Sequence, residues 1–157
     1  MIILGIDPGT YYTGYGFVEK NGGSTTHIDN GLIAPAKSLS LPQRLKIFFE
    51  EIGRLIEQFS PKEIAIEDVF VAKNARSSLK LGHARGVIML AAACKNIPVF
   101  EYSPAEVKQA VSGFGQATKE QMQKMICLHL KLKEVAQEDA NDALAVALCH
   151  SQTKRFK

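Results

Sequence analysis

Four acidic residues set the chemistry open to this sequence. Asp7 closes the apolar run Ile2-Ile3-Leu4-Gly5-Ile6, Glu67 stands in Ile64-Ala65-Ile66-Glu67-Asp68, and Asp139 and Asp142 lie three apart in Asp139-Ala140-Asn141-Asp142. Only five Asp occur in 157 residues, so their positions carry weight. A carboxylate on an apolar strand is costly to bury unless it is paired or bound to a metal. Two acids three apart on a helix share a face with Cβ atoms about 5–6 Å apart, and they repel one another slightly. A helix N-terminus also favours acids through its dipole, which is the purely structural reading of that pair. The residues after Asp142 are almost all Ala, Leu and Val, so the helix is expected to pack tightly and bring its acidic start against the rest of the fold. If the strands bearing Asp7 and Glu67 are neighbours, the four acids converge and raise one another's pKa values. Divalent cations relieve such repulsion, and Mg²⁺ prefers oxygen ligands while keeping several waters. Two such ions about 3.5–4 Å apart form a clamp for in-line phosphoryl displacement, one orienting water and the other stabilising the leaving oxygen.

The elements that must position these acids are legible in the hydrophobic period. Ile2–Ile6 reads as a strand buried on both faces and ending in a turn. Thr13–Glu19 is a second strand, Asn21-Gly22-Gly23 a hairpin turn, and a third strand falls within 25–33. Leu41, Leu45, Phe48, Phe49, Ile52, Leu55, Ile56 and Phe59 then recur every three or four residues. This is the spacing of an amphipathic helix, opened by Ser40 and Pro42 and closed by Ser60-Pro61. Glu63–Val69 returns to a strand, Ala75–Lys95 to a helix rich in Ala and Gly, and Val99–Tyr102 to a fifth strand. Ser103-Pro104-Ala105-Glu106 and Thr118-Lys119-Glu120-Gln121 are capping boxes for two further helices. The last helix covers about 139–152. The order βββαβαβ followed by helices predicts a single α/β domain over 1–157, with a five-stranded mixed sheet, an antiparallel meander of strands 1–3 followed by strands 4 and 5, flanked by helices.

Composition narrows the class further. Hydrophobic residues make up 46% and charged residues 22%, as in a folded soluble domain. The longest apolar run, 87–94, is far short of the roughly 20 residues a membrane span needs. The N-terminus has no basic segment ahead of an apolar one, so neither a signal peptide nor a membrane association is expected. Cys94, Cys127 and Cys149 are scattered and odd in number, which points to a reducing cytoplasm and to small buried side chains rather than disulfides. The net charge is only +3, but its distribution is uneven. No acid occurs over 69–100, where Lys73, Arg76, Lys80, Arg85 and Lys95 fall, and Glu120 is the only acid over 107–133 against Lys108, Lys119, Lys124, Lys131 and Lys133. Such segregation suits a polyanionic partner, or equally a solvated surface.

Gly5-Ile6-Asp7-Pro8-Gly9-Thr10 with Thr13-Gly14-Tyr15-Gly16, then Ile64-Ala65-Ile66-Glu67-Asp68-Val69-Phe70, then Asp139-Ala140-Asn141-Asp142-Ala143-Leu144-Ala145 closely resemble the RuvC family of Holliday junction resolvases. The likeness covers essentially the whole chain. It implies a ribonuclease H-like fold and a homodimer that nicks opposed strands of four-way junction DNA symmetrically, leaving ligatable 5′-phosphate and 3′-hydroxyl ends. It implies Mg²⁺ as cofactor, two ions per active site with Mn²⁺ as a substitute, and a branch-migration complex of RuvA and RuvB type as partner. By the resemblance Asp7, Glu67, Asp139 and Asp142 take the catalytic and metal-binding positions. Phe70 matches an aromatic that stacks on bases near the crossover, and Lys108 and Lys119 match basic positions near the scissile strand. Asp68 departs from the family's common amide, and strand alternation turns it away from Glu67. No role is carried onto Tyr11 and Tyr12.

The supporting residues have plainer readings beside the functional ones. Lys73, Arg76 and Lys80 are candidate phosphate contacts, with His83 on the same helical face, or solvated side chains. Phe70 is a stacking platform or a core residue. Phe114, between Gly113 and Gly115, is a DNA contact or a loop anchor. His129 and His150 read as ordinary helix residues, since Mg²⁺ sites favour oxygen. Gly82, Gly86, Ala84 and Ala91–Ala93 permit a close helix contact, where the resemblance puts the dimer interface. Other function classes remain. Gly-Ile-Asp-x-Gly-Thr also occurs in sugar kinases and actin-like ATPases, which need two lobes around a nucleotide. A junction-binding module has no need of four acids, and a ribonuclease of the same fold would share the metal chemistry.

Overall fold

The structure is a computed structural model that describes residues 1–68, 75–134 and 136–153. The strands are β1 (Ile2–Asp7), β2 (Thr13–Asn21), β3 (Ser24–Ile33), β4 (Glu63–Glu67) and β5 (Val99–Tyr102). The helices are α1 (Leu41–Phe59), α2 (Ala75–Cys94), α3 (Pro104–Ser112), α4 (Lys119–Leu130) and α5 (Glu138–Gln152). Every element expected from the sequence is present, with ends displaced by one or two residues. The expected extension of the fourth strand to Val69 lies outside the described residues.

The five strands form one sheet in the order β3-β2-β1-β4-β5. β1, β2 and β3 are antiparallel neighbours, and β4 runs parallel to both β1 and β5. Gly22, at a φ of 60°, makes the tight turn between β2 and β3. Helix starts follow the sequence signals. Glu106 accepts from the Ser103 backbone N–H at 2.8 Å, and Gln121 accepts from that of Thr118 at 2.8 Å.

Strand alternation divides the core in two. Leu4, Ile6, Phe17, Ile64 and Ile66 face one way and pack with Phe48, Ile52 and Leu55 of α1 and Ile88 of α2. Ile3, Val18 and Ala65 face the other way and pack with α3, α4 and α5. α5 is buried around nearly its whole circumference, with Ala140, Asn141 and 143–151 covered, because it lies between the sheet and α3. It sits almost in backbone contact with β1 and β2. A Cβ on Gly5 would overlap the Ala143 carbonyl oxygen, and one on Gly14 would overlap that of Asp139. These two positions must be glycine for the helix to sit this close.

Two substitutions separate close approach from mere flexibility. Gly5→Ala drives a methyl group into the α5 backbone and is expected to destabilise the protein by about 3 kcal/mol or more. Gly53→Ala, on α1 with nothing within 4 Å of the new methyl group, is expected to stabilise it by about 0.5–1 kcal/mol. Urea midpoints read both; equal effects would remove the close packing of α5 as the reason for Gly5.

Candidate active site

The acids are positioned by parity and register. Asp7 follows Ile3 and Gly5 in alternation, so it faces α5; Glu67 follows Ala65 and faces the same way. Ile6 pairs with Ile66 in the parallel β1–β4 ladder, so the next residues, Asp7 and Glu67, end adjacent strands at one level. Asp7 also pairs with Gly14 of β2, and it is over Gly14 that the Asp139 carbonyl rests. The start of α5 is therefore pinned above the end of β1, and Asp142 follows less than one helical turn later.

The electrostatics record this convergence. Asp7 is pushed up to about 8, first by burial and then by Glu67, Asp142 and Asp139 in that order, with Lys119 opposing. Glu67 is pushed up to about 7 by burial and by Asp142, with Lys108 opposing. Burial raises Asp142 as well, while Lys119 and Lys108 pull it down. Two hollows share the acids. One of about 480 Å³ is lined by Asp7, Asp139, the turn 8–12 and Lys37. The other, of about 230 Å³, holds Glu67 and Asp142 with Lys108, Lys119 and Met122.

Among the described residues, no three acidic, His or Cys side chains form a group that could hold a metal ion as they stand. The acids are electrostatically coupled carboxylates rather than a closed cage. That donor set suits Mg²⁺, which is commonly held by one or two carboxylates, waters and substrate phosphate rather than by an all-protein cage. It does not suit zinc, which favours thiolate and imidazole.

The remaining sequence candidates divide. Lys108 and Lys119 reach the acids, but Lys119 is already paired with Glu138 at the start of α5. Arg76 and Lys80 lie exposed near the start of α2 and line neither hollow. Phe70 and Lys73 fall outside the described residues. Asp68 turns to the opposite face, as alternation requires, and sits 3.4 Å from Arg85 of α2. Arg85 also binds Glu101, and Lys95 binds Glu57 at 2.6 Å. The acid-free stretch is thus partly neutralised in space by acids from other elements. Phe114 is exposed beside Lys124 in a further hollow.

Two readings need correction or addition. Only Cys149 of the three cysteines is buried; Cys94 is exposed because it ends α2 at the surface. His150 is a helix residue, as expected, and has a structural role. It is buried and bridges the Tyr102 hydroxyl at 2.7 Å and Glu63 at 2.9 Å, tying α5 to β4 and β5. Tyr11 and Tyr12, which carry no role in the sequence, and Lys37 line the hollow with Asp7, and Arg44 binds the Thr10 carbonyl of the same turn. Their one signal was a pair of aromatics in a turn directly after an acid-bearing strand.

The chain is similar to known proteins over nearly its whole length. The family described as Crossover junction endodeoxyribonuclease RuvC matches residues 3–150. A crossover junction endodeoxyribonuclease RuvC of Syntrophotalea carbinolica is 54% identical over 151 residues, covering 96% of this chain and 94% of the relative. That of Trichlorobacter lovleyi is 51% identical over 157 residues, covering 100% of this chain and 88% of the relative. Among solved structures, T. thermophilus RuvC in complex with a Holliday junction substrate superposes with a TM-score of 0.91 at 30% identity, over 97% of this chain and 93% of the other. The yeast mitochondrial Holliday junction resolvase shares the fold, with a TM-score of 0.68 at 14% identity over 96% of this chain and 78% of its own. The expected ribonuclease H-like architecture is the observed one.

The raised acids make metal-free stability depend on pH with a definite sign. Asp7 and Glu67 hold protons more tightly folded than unfolded, so the stability they contribute is full below about pH 4 and is lost as pH rises through 7 and 8. In chelator, the melting midpoint is expected to fall by several degrees from about pH 6 to 9, and Asp7→Asn is expected to flatten that fall. Added Mg²⁺ should raise the midpoint more at the alkaline end. A wild-type slope retained by Asp7→Asn would show that Asp7 is not the group responsible.

Proposed function

Since the chain belongs to the RuvC family of crossover junction endodeoxyribonucleases, we propose that it resolves Holliday junctions by paired nicks in opposed strands, with 1–157 acting as one nuclease domain. The observation that carries this reading is the gathering of Asp7, Glu67, Asp139 and Asp142 at one end of the sheet, with Lys108 and Lys119 alongside. Carboxylates alone repel a phosphodiester, so a pocket of this kind needs cations to admit its substrate.

Asp7, Glu67, Asp139 and Asp142 would hold the divalent metal, Mg²⁺ with Mn²⁺ as a substitute and two ions per site. When bound, these ions neutralise the phosphate, acidify the attacking water and stabilise the leaving oxygen. The chain's own residues do the rest. Asp7 and Glu67 ride on central strands, which hold their carboxyl groups still. Asp139 and Asp142 ride on a helix that cannot slide, because β1 and β2 fit its backbone closely. Lys108 offers its ammonium group to the backbone of the cleaved strand, and Lys119 does so on leaving Glu138. Phe70, Lys73, Arg76 and Lys80 extend the DNA contact along the start of α2 and the segment before it. Ala84, Ala91 and Ala92, expected at a dimer contact, are buried in the core against α1, so a homodimer would meet through the exposed Gly82 and Gly86 of α2, presenting two such sites to opposed strands, and RuvA and RuvB type proteins would deliver the junction. Among the described residues no helix is long and apolar enough to cross a membrane; a cytoplasmic location completes the reading.

The test is incubation with a synthetic four-way junction, linear duplex, RNA–DNA hybrid and ATP, each with and without Mg²⁺. Paired nicks in the junction alone, abolished by chelator, are expected. Preferential cleavage of the hybrid would favour a ribonuclease, and ATP turnover a kinase-like enzyme. Asp7→Asn should abolish nicking while junction binding persists, because phosphate contacts come from separate cations. Lys108→Ala should weaken binding across sequences and flatten its salt dependence by about 0.9 in the log–log slope. An unchanged slope takes Lys108 out of the phosphate footprint.

A further inference from the structure

The larger acidic hollow has lining that the metal chemistry does not use. Beside Asp7 and Asp139 it is lined by the turn Pro8–Tyr12 and by Lys37. The turn is tight, since a Cβ on Gly9 would overlap the Tyr12 carbonyl oxygen, and Tyr11 and Tyr12 come out of it exposed. Tyr11 is 44% exposed, yet it is not loose. The Arg44 guanidinium lies 4.5 Å from its ring centroid. Arg44 itself is only 6% exposed, and it donates to the Thr10 carbonyl at 3.1 Å and the Leu39 carbonyl at 2.6 Å. Both bonds go to backbone, so the guanidinium cannot swing away, and it backs the ring. Lys37 stands 5.4 Å from the Tyr12 ring centroid at the same mouth.

An exposed aromatic held flat from behind by a buried cation, beside a pocket for a phosphodiester, has the properties of a base-stacking platform. Stacking is sequence-tolerant and loses little entropy when the ring is already fixed. The hollow's 480 Å³ lies within the range that holds small organic ligands and so has room for one nucleotide. We propose that Tyr11, backed by Arg44, stacks on a base of the cleaved strand next to the scissile phosphate, while Lys37 takes the adjoining backbone phosphate. This rests on the nuclease reading above. Tyr11 is then a positioning residue: it fixes where the phosphate sits over the acids and touches no reacting atom.

The test uses four-way junctions carrying 2-aminopurine at each position within three nucleotides of the cut. Binding is followed in chelator and nicking under single turnover with Mg²⁺. Wild-type protein and Tyr11→Phe should quench the probe at one flanking position and nick at similar rates. Tyr11→Ala should lose that quench and nick about tenfold to a hundredfold more slowly, with junction affinity changed less than threefold. Lys37→Gln should keep the quench but lower the salt dependence of binding. Thermal unfolding checks that each variant is folded. Tyr11→Ala that nicks within twofold of wild type, or a quench that survives it, overturns the proposal. If wild type quenches through Tyr11 but cuts nothing, the nuclease reading falls and the nucleotide platform stands.

Discussion

The seating of α5 on the glycine-lined surface of β1 and β2 is the contact on which everything else depends. Gly5 and Gly14 bring the helix backbone within touching distance of the sheet, and no side chain intervenes. The helix is buried along most of its length, so its position is set by packing on several sides rather than by a few contacts. That rigidity is what allows Asp139 and Asp142 to be held beside Asp7 and Glu67 against their mutual repulsion. A helix held only at its ends would relax by moving the charges apart.

Protons relieve part of the repulsion. Burial and like charge together hold Asp7 near 8 and Glu67 near 7, so at neutral pH the metal-free pocket keeps protons that ordinary carboxylates would have lost. In the proposed function a divalent cation would displace those protons and balance the carboxylate charges in their place. The nearby lysines are arranged for the same end. Lys119 is occupied by Glu138, and Lys108 stands beside Glu67, so positive charge is close to the acids without closing the pocket.

The two faces of the sheet divide their work. The α1–α2 face is an aliphatic and aromatic core, and Asp68 leaves Glu67 for that side, where Arg85 receives it. The α5 face carries the acids at one end and, further along, the buried Tyr102–His150–Glu63 chain that ties the helix to the strands. A one-residue slip of β4 would turn Glu67 to the α1–α2 face, so the strong apolar alternation of Ile64 and Ile66 protects the placement of Glu67 as well as the core.

Much of this was readable from the sequence. The period of apolar residues marks every strand and helix, the capping boxes mark helix starts, and three short motifs identify the family. Periodicity and spacing are local properties, and each element states its own. What the sequence left open was whatever depends on distant segments meeting. Arg85, Lys95 and Lys119 look like free basic charge along the chain, but Glu101, Glu57 and Glu138 reach them from other elements. Cys94 looks like a small core residue and is exposed; His150 looks like an ordinary helix residue and is buried in a hydrogen-bonded chain. Tyr11 and Arg44 are 33 residues apart and meet only because α1 folds back beneath the first turn. The sequence by itself determined which groups exist and which face of its own element each occupies. Only the tertiary structure decided which charges oppose one another, because burial and electrostatic coupling depend on distance through space, and distance along the chain does not constrain it.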